Sequence, residues 1–285
     1  SESYRTEGVL NLPLAQGVFA ARIAGVYEEA GGWIDTPDGA DANDATTSHL
    51  RAKLRFEPTD ALSFSFLAMT QTMEEDDSTL SDEDGFNPAP GRAPSRDEFD
   101  VFNLVAEYDF GFATLLSSTG RIDRETSVAI DQSDFTIGFS LVPIAFGGLG
   151  LAPGDITEAV VFSEGQFERF SQEFRLTSNG DGPLNWVVGG TYIDDERQGS
   201  SFSVTSPTPT SALVFDLFGA PTTTNTSEFW TIYAQGDYAL TDAVTVSLGA
   251  RYFEDERSVQ AAPGAPVRSA TFDSFNPRLN LTWDY

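Results

Sequence analysis

The sequence has no cysteine, a single histidine (His49) and a single lysine (Lys53). Without cysteine there is no disulfide framework, no thiol catalysis and no cysteine-based metal site. The same absence is compatible with an oxidising periplasm or a cell surface. Basic residues are scarce: 16 against 44 acids, for a net charge of −28. A polyanion of this size argues against nucleic acid as a partner, because that binding is driven by lysine and arginine neutralising phosphates. All the bases except Lys53 are arginine. Planar bidentate pairing with carboxylates would favour that skew, and so would GC-rich codon usage.

A long uninterrupted hydrophobic run is also missing. The opening, Ser1–Leu14, has neither the basic start nor the apolar core of a secretory leader. The longest apolar stretch, Phe135–Ala152, holds four glycines and a proline. A membrane helix needs roughly 20 apolar residues without such breakers, so this stretch reads as a loop folded over other parts of the protein.

What the chain does have is two-residue periodicity. Eleven antiparallel strands are predicted at 3–12, 18–28, 46–57, 61–72, 98–110, 112–124, 166–178, 184–194, 227–239, 243–255 and 269–284. Soluble strands usually have about half that length, whereas a tilted strand crossing a bilayer needs roughly 9–11 residues. The connections alternate. Short turns fall at Pro13–Gly17, Glu57–Asp60, Phe110–Phe112, Asn179–Pro183 and Leu240–Asp242. Long loops fall at Glu28–Ala45, Met73–Glu98, Arg124–Gly165, Asp195–Thr226 and Glu256–Ser269. Segregation of short turns from long loops is the pattern of outer-membrane barrels, with the tight turns in the periplasm.

The strand faces separate cleanly. Leu50, Ala52, Leu54 and Phe56 alternate with His49, Arg51, Lys53 and Arg55. Trp230, Ile232, Ala234, Gly236 and Tyr238 alternate with Thr231, Tyr233, Gln235 and Asp237. In a sandwich the apolar row would be the core; in a membrane barrel it meets lipid. Aromatics bracket the rows in the pairs Trp230/Tyr238, Trp186/Tyr192 and Phe275/Trp283. Interfacial girdles have that arrangement. The alanines and glycines between them would pack a soluble core poorly. The fold class expected is therefore an all-β, antiparallel transmembrane barrel with one outward apolar face.

Several hairpins carry a family resemblance. Tyr4–Leu14 with Val18–Asp35, Phe170–Glu196, Phe229–Arg257 and Phe275–Tyr285 together resemble the barrel of TonB-dependent receptors, most specifically in Trp230–Arg257 and the Asn-Pro-Arg-Leu run Asn276–Leu279. The resemblance implies a barrel of 22 strands, a lumenal plug and a segment contacting TonB. Eleven is an odd count, and bacterial single-chain barrels have even ones. Residues 1–285 are thus expected to form a partial barrel domain, with plug and further strands outside this sequence. The implied function is active uptake across the outer membrane of a Gram-negative bacterium. The implied partners are outer-membrane lipid, the TonB complex and a small ligand such as a ferric siderophore. A carbohydrate or cobalamin receptor of the same family, and a passive porin-like or structural barrel, are the alternatives.

No cofactor, metal site or catalytic residue is expected. His49 falls on a polar face without a GxSxG serine elsewhere, against a hydrolase. The run Asp82–Gly85 fails the EF-hand template, which would put Leu80 and Gly91 at its first and last ligand positions, and reads as a solvated acidic loop. Gly147, Gly148 and Gly150 break the dinucleotide-binding spacing at Pro153. Candidate ligand contacts are Trp33, Phe139 and Phe146, aromatics on loops above a pore. Candidate lumen-lining residues are Arg51, Arg55, Glu173, Arg175, Arg251 and Arg278. Those arginines either line a path for an anionic ligand or pair with inward acids such as Glu173, Asp237 and Asp284, since semi-buried charges need partners.

Overall fold

The computed structural model describes residues 2–37, 39–77, 82–89, 91–133, 156–180, 182–207 and 220–283. They form one 11-stranded sheet in strict sequential order. The strands are β1 (Tyr4–Ala15), β2 (Phe19–Ala30), β3 (Ala45–Thr59), β4 (Leu62–Glu75), β5 (Ser95–Asp109), β6 (Ala113–Asp131), β7 (Ile156–Ser178), β8 (Leu184–Pro207), β9 (Ala220–Thr241), β10 (Val244–Gln260) and β11 (Arg268–Trp283). Every neighbouring pair is antiparallel. Among the described residues no helix is long and apolar enough to cross a membrane, which says nothing about strands.

Tight turns join the strands at one end. Gly17 and Gly111 adopt φ of 70° and 86° there, the left-handed region that side chains resist. The Asp109 carboxylate accepts from Gly111 N at 2.7 Å and fixes that turn.

Residues opposite one another in an antiparallel ladder share a face, so the register assigns every side chain. One face carries Phe56, Phe66, Leu104, Phe174, Val188, Ile232, Leu248 and Leu279. All of these are exposed except the half-buried Phe66, with Leu279 at 74% and Leu248 at 59%. Among the described residues no second sheet covers them. The buried apolar residues amount to small or peripheral ones, such as Ala21, Ala113, Ile34 and Val160. A sandwich would bury the exposed set. Each large side chain moved out of water stabilises by about 1.5–3 kcal/mol, and here only lipid can provide that.

The apolar band has aromatic limits. Toward the tight turns it ends at Phe19, Phe56, Phe64, Tyr108, Trp186, Tyr238 and Trp283. Toward the long loops it ends at Tyr27, Phe102, Phe170, Tyr192, Trp230, Tyr252 and Phe275. Trp230 and Tyr252 meet across β9–β10 with centroids 5.3 Å apart. Within the band, β6–β7 presents the polar trio Ser117, Thr119 and Gln172, whose side chains satisfy one another. Thr119 Oγ1 donates to Gln172 Oε1 at 2.5 Å and Gln172 Nε2 donates to Ser117 Oγ at 3.1 Å.

All eleven strands lie where the periodicity places them, but several are longer than expected. β7 and β8 have 23 and 24 residues. Beyond the aromatic limit the outward face turns acidic, with Glu164, Glu168, Asp194, Glu196, Glu228, Glu254, Glu256 and Asp273 on β7–β11. With both faces polar, alternation disappears from the sequence while the hydrogen-bonded ladder continues.

Candidate functional site

The long-loop end and the polar face beneath it hold the groups able to meet a ligand. Two long loops are fastened together. Ile34 is completely buried. Asn43 Oδ1 accepts from Trp33 N and Ile34 N, both at 2.8 Å. Asp35 N donates to Gly85 O at 2.9 Å and Asn87 N to Asp35 O at 2.8 Å, which stitches the β2–β3 loop to the β4–β5 loop. Asp82 Oδ1 accepts from Asp84 N at 3.0 Å and Phe86 N at 2.9 Å. Farther along, Asp77 Oδ1 accepts from Ala93 N at 2.9 Å, and Asp131 Oδ2 from Gly91 N at 2.6 Å. The acidic loops are therefore not simply solvated, as their composition suggests. Asp77 is only 3% exposed, and these carboxylates hold backbone amides that no ladder reaches. Among the described residues no acidic or histidine cluster has the form of a metal site.

Trp33 is pinned through its backbone, yet its side chain is exposed, at 57% for the residue. It is thus presented on a rigid loop rather than packed into one. Phe139 and Phe146, and the rest of the apolar stretch 135–152, lie outside the described residues.

The register puts Arg51, Arg55, Glu173, Arg175, Arg251 and Arg278 all on the polar face. They do not gather in one place. Arg55 pairs with Glu57 at 2.7 Å, and Arg175 approaches Glu173 at 4.0 Å. Glu173 also accepts from the Tyr233 hydroxyl at 3.2 Å. Arg251 takes another course: Nε donates to Thr231 Oγ1 at 3.1 Å and the guanidinium lies 5.5 Å from the Phe253 ring centre. Arg251 and Arg278 share a polar-face concavity of about 600 Å³ with Phe229, Tyr233 and Asn276. Pairing with inward acids therefore holds for only part of the set, and Asp284 lies outside the described residues. His49 faces the same side, with Nδ1 buried and without a hydrogen-bond partner. Among the described residues no carboxylate holds its Nδ1, as a nucleophilic triad would require.

Continuing the register beyond the band adds residues that the sequence reading left in loops. These are Arg197, Arg257 and Arg268, which fall on the polar face together with Arg169 of the expected strand 166–178. Thirteen of the 16 bases lie on that face: Arg5, Arg22, Arg51, Lys53, Arg55, Arg124, Arg169, Arg175, Arg197, Arg251, Arg257, Arg268 and Arg278. Parity was the available signal, since Arg257 follows Arg251 and Asp255 at even spacing. Asp255 accepts from Arg257 Nε at 2.8 Å and Ser227 Oγ at 2.9 Å. The Arg257 guanidinium is the main cause holding that carboxyl below its usual range. Asp255 lies beyond Tyr252 and thus outside the apolar band.

A single sheet with an exposed apolar band, two aromatic limits, tight turns at one end and fastened loops at the other is the wall of a membrane β-barrel. Residues 32–285 match the sequence profile described as "TonB dependent receptor-like, beta-barrel", and the chain belongs to that family. Receptors of the family are outer-membrane proteins of Gram-negative bacteria. No curated protein sequence matches the chain. Among solved structures it is similar to the ferric yersiniabactin uptake receptor FyuA from Yersinia pestis (TM-score 0.67, 17% identity, 98% of this chain and 41% of that one). It is similar to the ferric citrate transporter FecA in its unliganded form (0.66, 14%, 99% and 42%). It is also similar to the Pseudomonas aeruginosa ferripyoverdine receptor bound to ferripyoverdine (0.66, 14%, 100% and 39%). At these identities the likeness establishes the fold, and the chain spans about two-fifths of each receptor's length.

Proposed function

We propose that this chain is part of the barrel wall of an outer-membrane receptor that binds a scarce ligand, a ferric siderophore or similar iron chelate, at its extracellular end. The receptor imports the ligand with energy transmitted by TonB through segments outside this sequence. The tight turns face the periplasm, the fastened loops face outward and the polar face lines the lumen. The observation that carries the reading is the pinned loop pair, which keeps Trp33 exposed at the long-loop end of the wall. Family membership and the iron-chelate receptors of the same fold support it. It is not an enzyme on this reading, and it needs no resident cofactor.

The test is uptake of radiolabelled iron chelates by cells carrying the full-length receptor. Uptake lost on deleting TonB, and reduced by Trp33→Ala, is the expected result. Passage that continues without TonB contradicts the proposal and points to a passive barrel.

A further inference from the structure

The charge on β8–β11 beyond the aromatic limit is divided between the faces. The outward side carries acids and no base. The polar side carries Arg197, Arg257 and Arg268 against Asp195 and Asp255. Both aspartates are already engaged, Asp195 by Arg169 at 2.6 Å and Asp255 by Arg257 at 2.7 Å. Among the described residues, neither Arg197 nor Arg268 has a carboxylate within ion-pair distance. In a chain of net charge −28, two such arginines at one level of the same face, on β8 and β11, call for an explanation.

Geometry brings them together. Arg197, Arg257 and Arg268 line one open concavity of about 720 Å³ with Asn225, Ser227, Phe272 and the Arg169-bound Asp195. Two of the guanidiniums stack on rings, Arg197 at 4.9 Å from the Phe167 centre and Arg257 at 5.9 Å from that of Phe272. Stacking on the flat face leaves the N–H edge of Arg197 directed away from the ring, available to oxygen ligands in the plane. Asn225 and Ser227 add neutral polar groups at the same level. Outward acids at this height repel anions approaching from the membrane side, so an anion is favoured only inside.

We infer that the concavity of Arg197, Arg257 and Arg268 is an anion subsite that takes carboxylate, phosphate or similar oxygens of the imported ligand. The inference rests on the uptake reading for the word "imported", while anion binding stands on its own. It selects polyanionic chelates over neutral saccharides. The arginine path continues downward to Arg251 and Arg278 in the adjoining concavity.

The experiment is calorimetric titration of inorganic pyrophosphate into the purified full-length receptor at low and high salt. Wild type should bind, more weakly as salt rises. Arg197→Gln with Arg268→Gln should weaken binding at least about tenfold, the loss expected for deleting charge-assisted hydrogen bonds. Arg197 and Arg268 are both exposed, so the fold should survive, and unchanged heat-modifiable migration checks this. Glu228→Gln with Glu256→Gln, on the outward face, should not weaken binding. A wild type that ignores pyrophosphate, or a double arginine variant that binds it equally, overturns the subsite. Iron-chelate uptake is scored in the same variants. Pyrophosphate binding that needs the arginines, without TonB-dependent uptake, overturns the transport reading and supports the subsite. TonB-dependent uptake with binding indifferent to the arginines does the reverse.

Discussion

Arg169 on β7 grips Asp195 on β8 through two hydrogen bonds of 2.6 Å, from Nε to Oδ1 and from a terminal guanidinium nitrogen to Oδ2. The two are direct register partners on the polar face, one residue beyond Phe170 on β7 and three beyond Tyr192 on β8, which limit the outward apolar band. The clamp thus marks the height at which the barrel wall leaves the membrane. It also occupies the acid nearest Arg197 in sequence on that face. Asp195→Ala should cost about 1 kcal/mol, as expected for losing a bidentate pair whose carboxylate is mostly buried and whose guanidinium is one-third exposed. Glu7→Ala, whose partner Arg5 is exposed and keeps Glu28, should cost close to nothing. Heat-modifiable gel migration of the full-length receptor ranks the two, and equal melting would contradict the assignment.

Gly91 tests the loop fastening. A Cβ there would collide with the Asp131 carboxylate and approach Val160 Cγ2 to 2.6 Å. Gly91→Ala should therefore break the tether and cost about 1–3 kcal/mol locally, as overpacking does. Limited proteolysis between residues 76 and 94 should accelerate. Gly8→Ala, with nothing within 4 Å, should cleave at the wild-type rate.

Asp255 gives a pH dependence with a definite sign. Arg257 depresses its folded-state pKa. The pair's contribution is therefore complete above the unfolded carboxylate pKa of about 4. It is lost as pH falls through the lower, folded value. The stability gap between wild type and Asp255→Asn should be constant from neutral pH down to that of a free carboxylate, then close on further acidification. A gap that opens on acidification would contradict the pairing.

The two faces should respond oppositely to charge. Leu279→Arg puts a guanidinium into the middle of the apolar band, at about 2–4 kcal/mol, and should abolish membrane insertion of the full-length receptor. Asn280→Arg, the next residue on the other face, should insert and migrate as wild type. Folding into detergent micelles or lipid vesicles, followed on a gel, distinguishes them.

Strand positions were legible because inside the band each strand alternates apolar with polar residues, as in Trp230–Tyr238. The outer ends of β7 and β8 were not, since Glu164, Gln166 and Glu168 are as polar as the opposite face. Arg197, Arg257 and Arg268 were consequently hidden in apparent loops, although parity with Asp195 and Asp255 carried their placement. That Arg51, Arg55, Arg175, Arg251 and Arg278 share the polar face followed from alternation alone. Their partners did not, because ion pairing depends on rotamers and cross-strand offsets that periodicity does not encode. Nor did composition show that Asp77 and Asp131 fasten loops: an acidic run reads the same whether its carboxylates meet water or backbone amides.

The central claim is that the exposed apolar face meets lipid and the arginine-bearing face does not. This chain has no cysteine, so single cysteines can be placed at positions 247 to 253 of β10 in a full-length receptor otherwise free of cysteine. Each is labelled with a fluorophore in vesicles containing nitroxide-bearing lipid. Labels at 248, 250 and 252 should be strongly quenched, and those at 247, 249, 251 and 253 weakly, in strict alternation. Uniform quenching, or alternation in the opposite phase, would contradict the barrel wall as assigned.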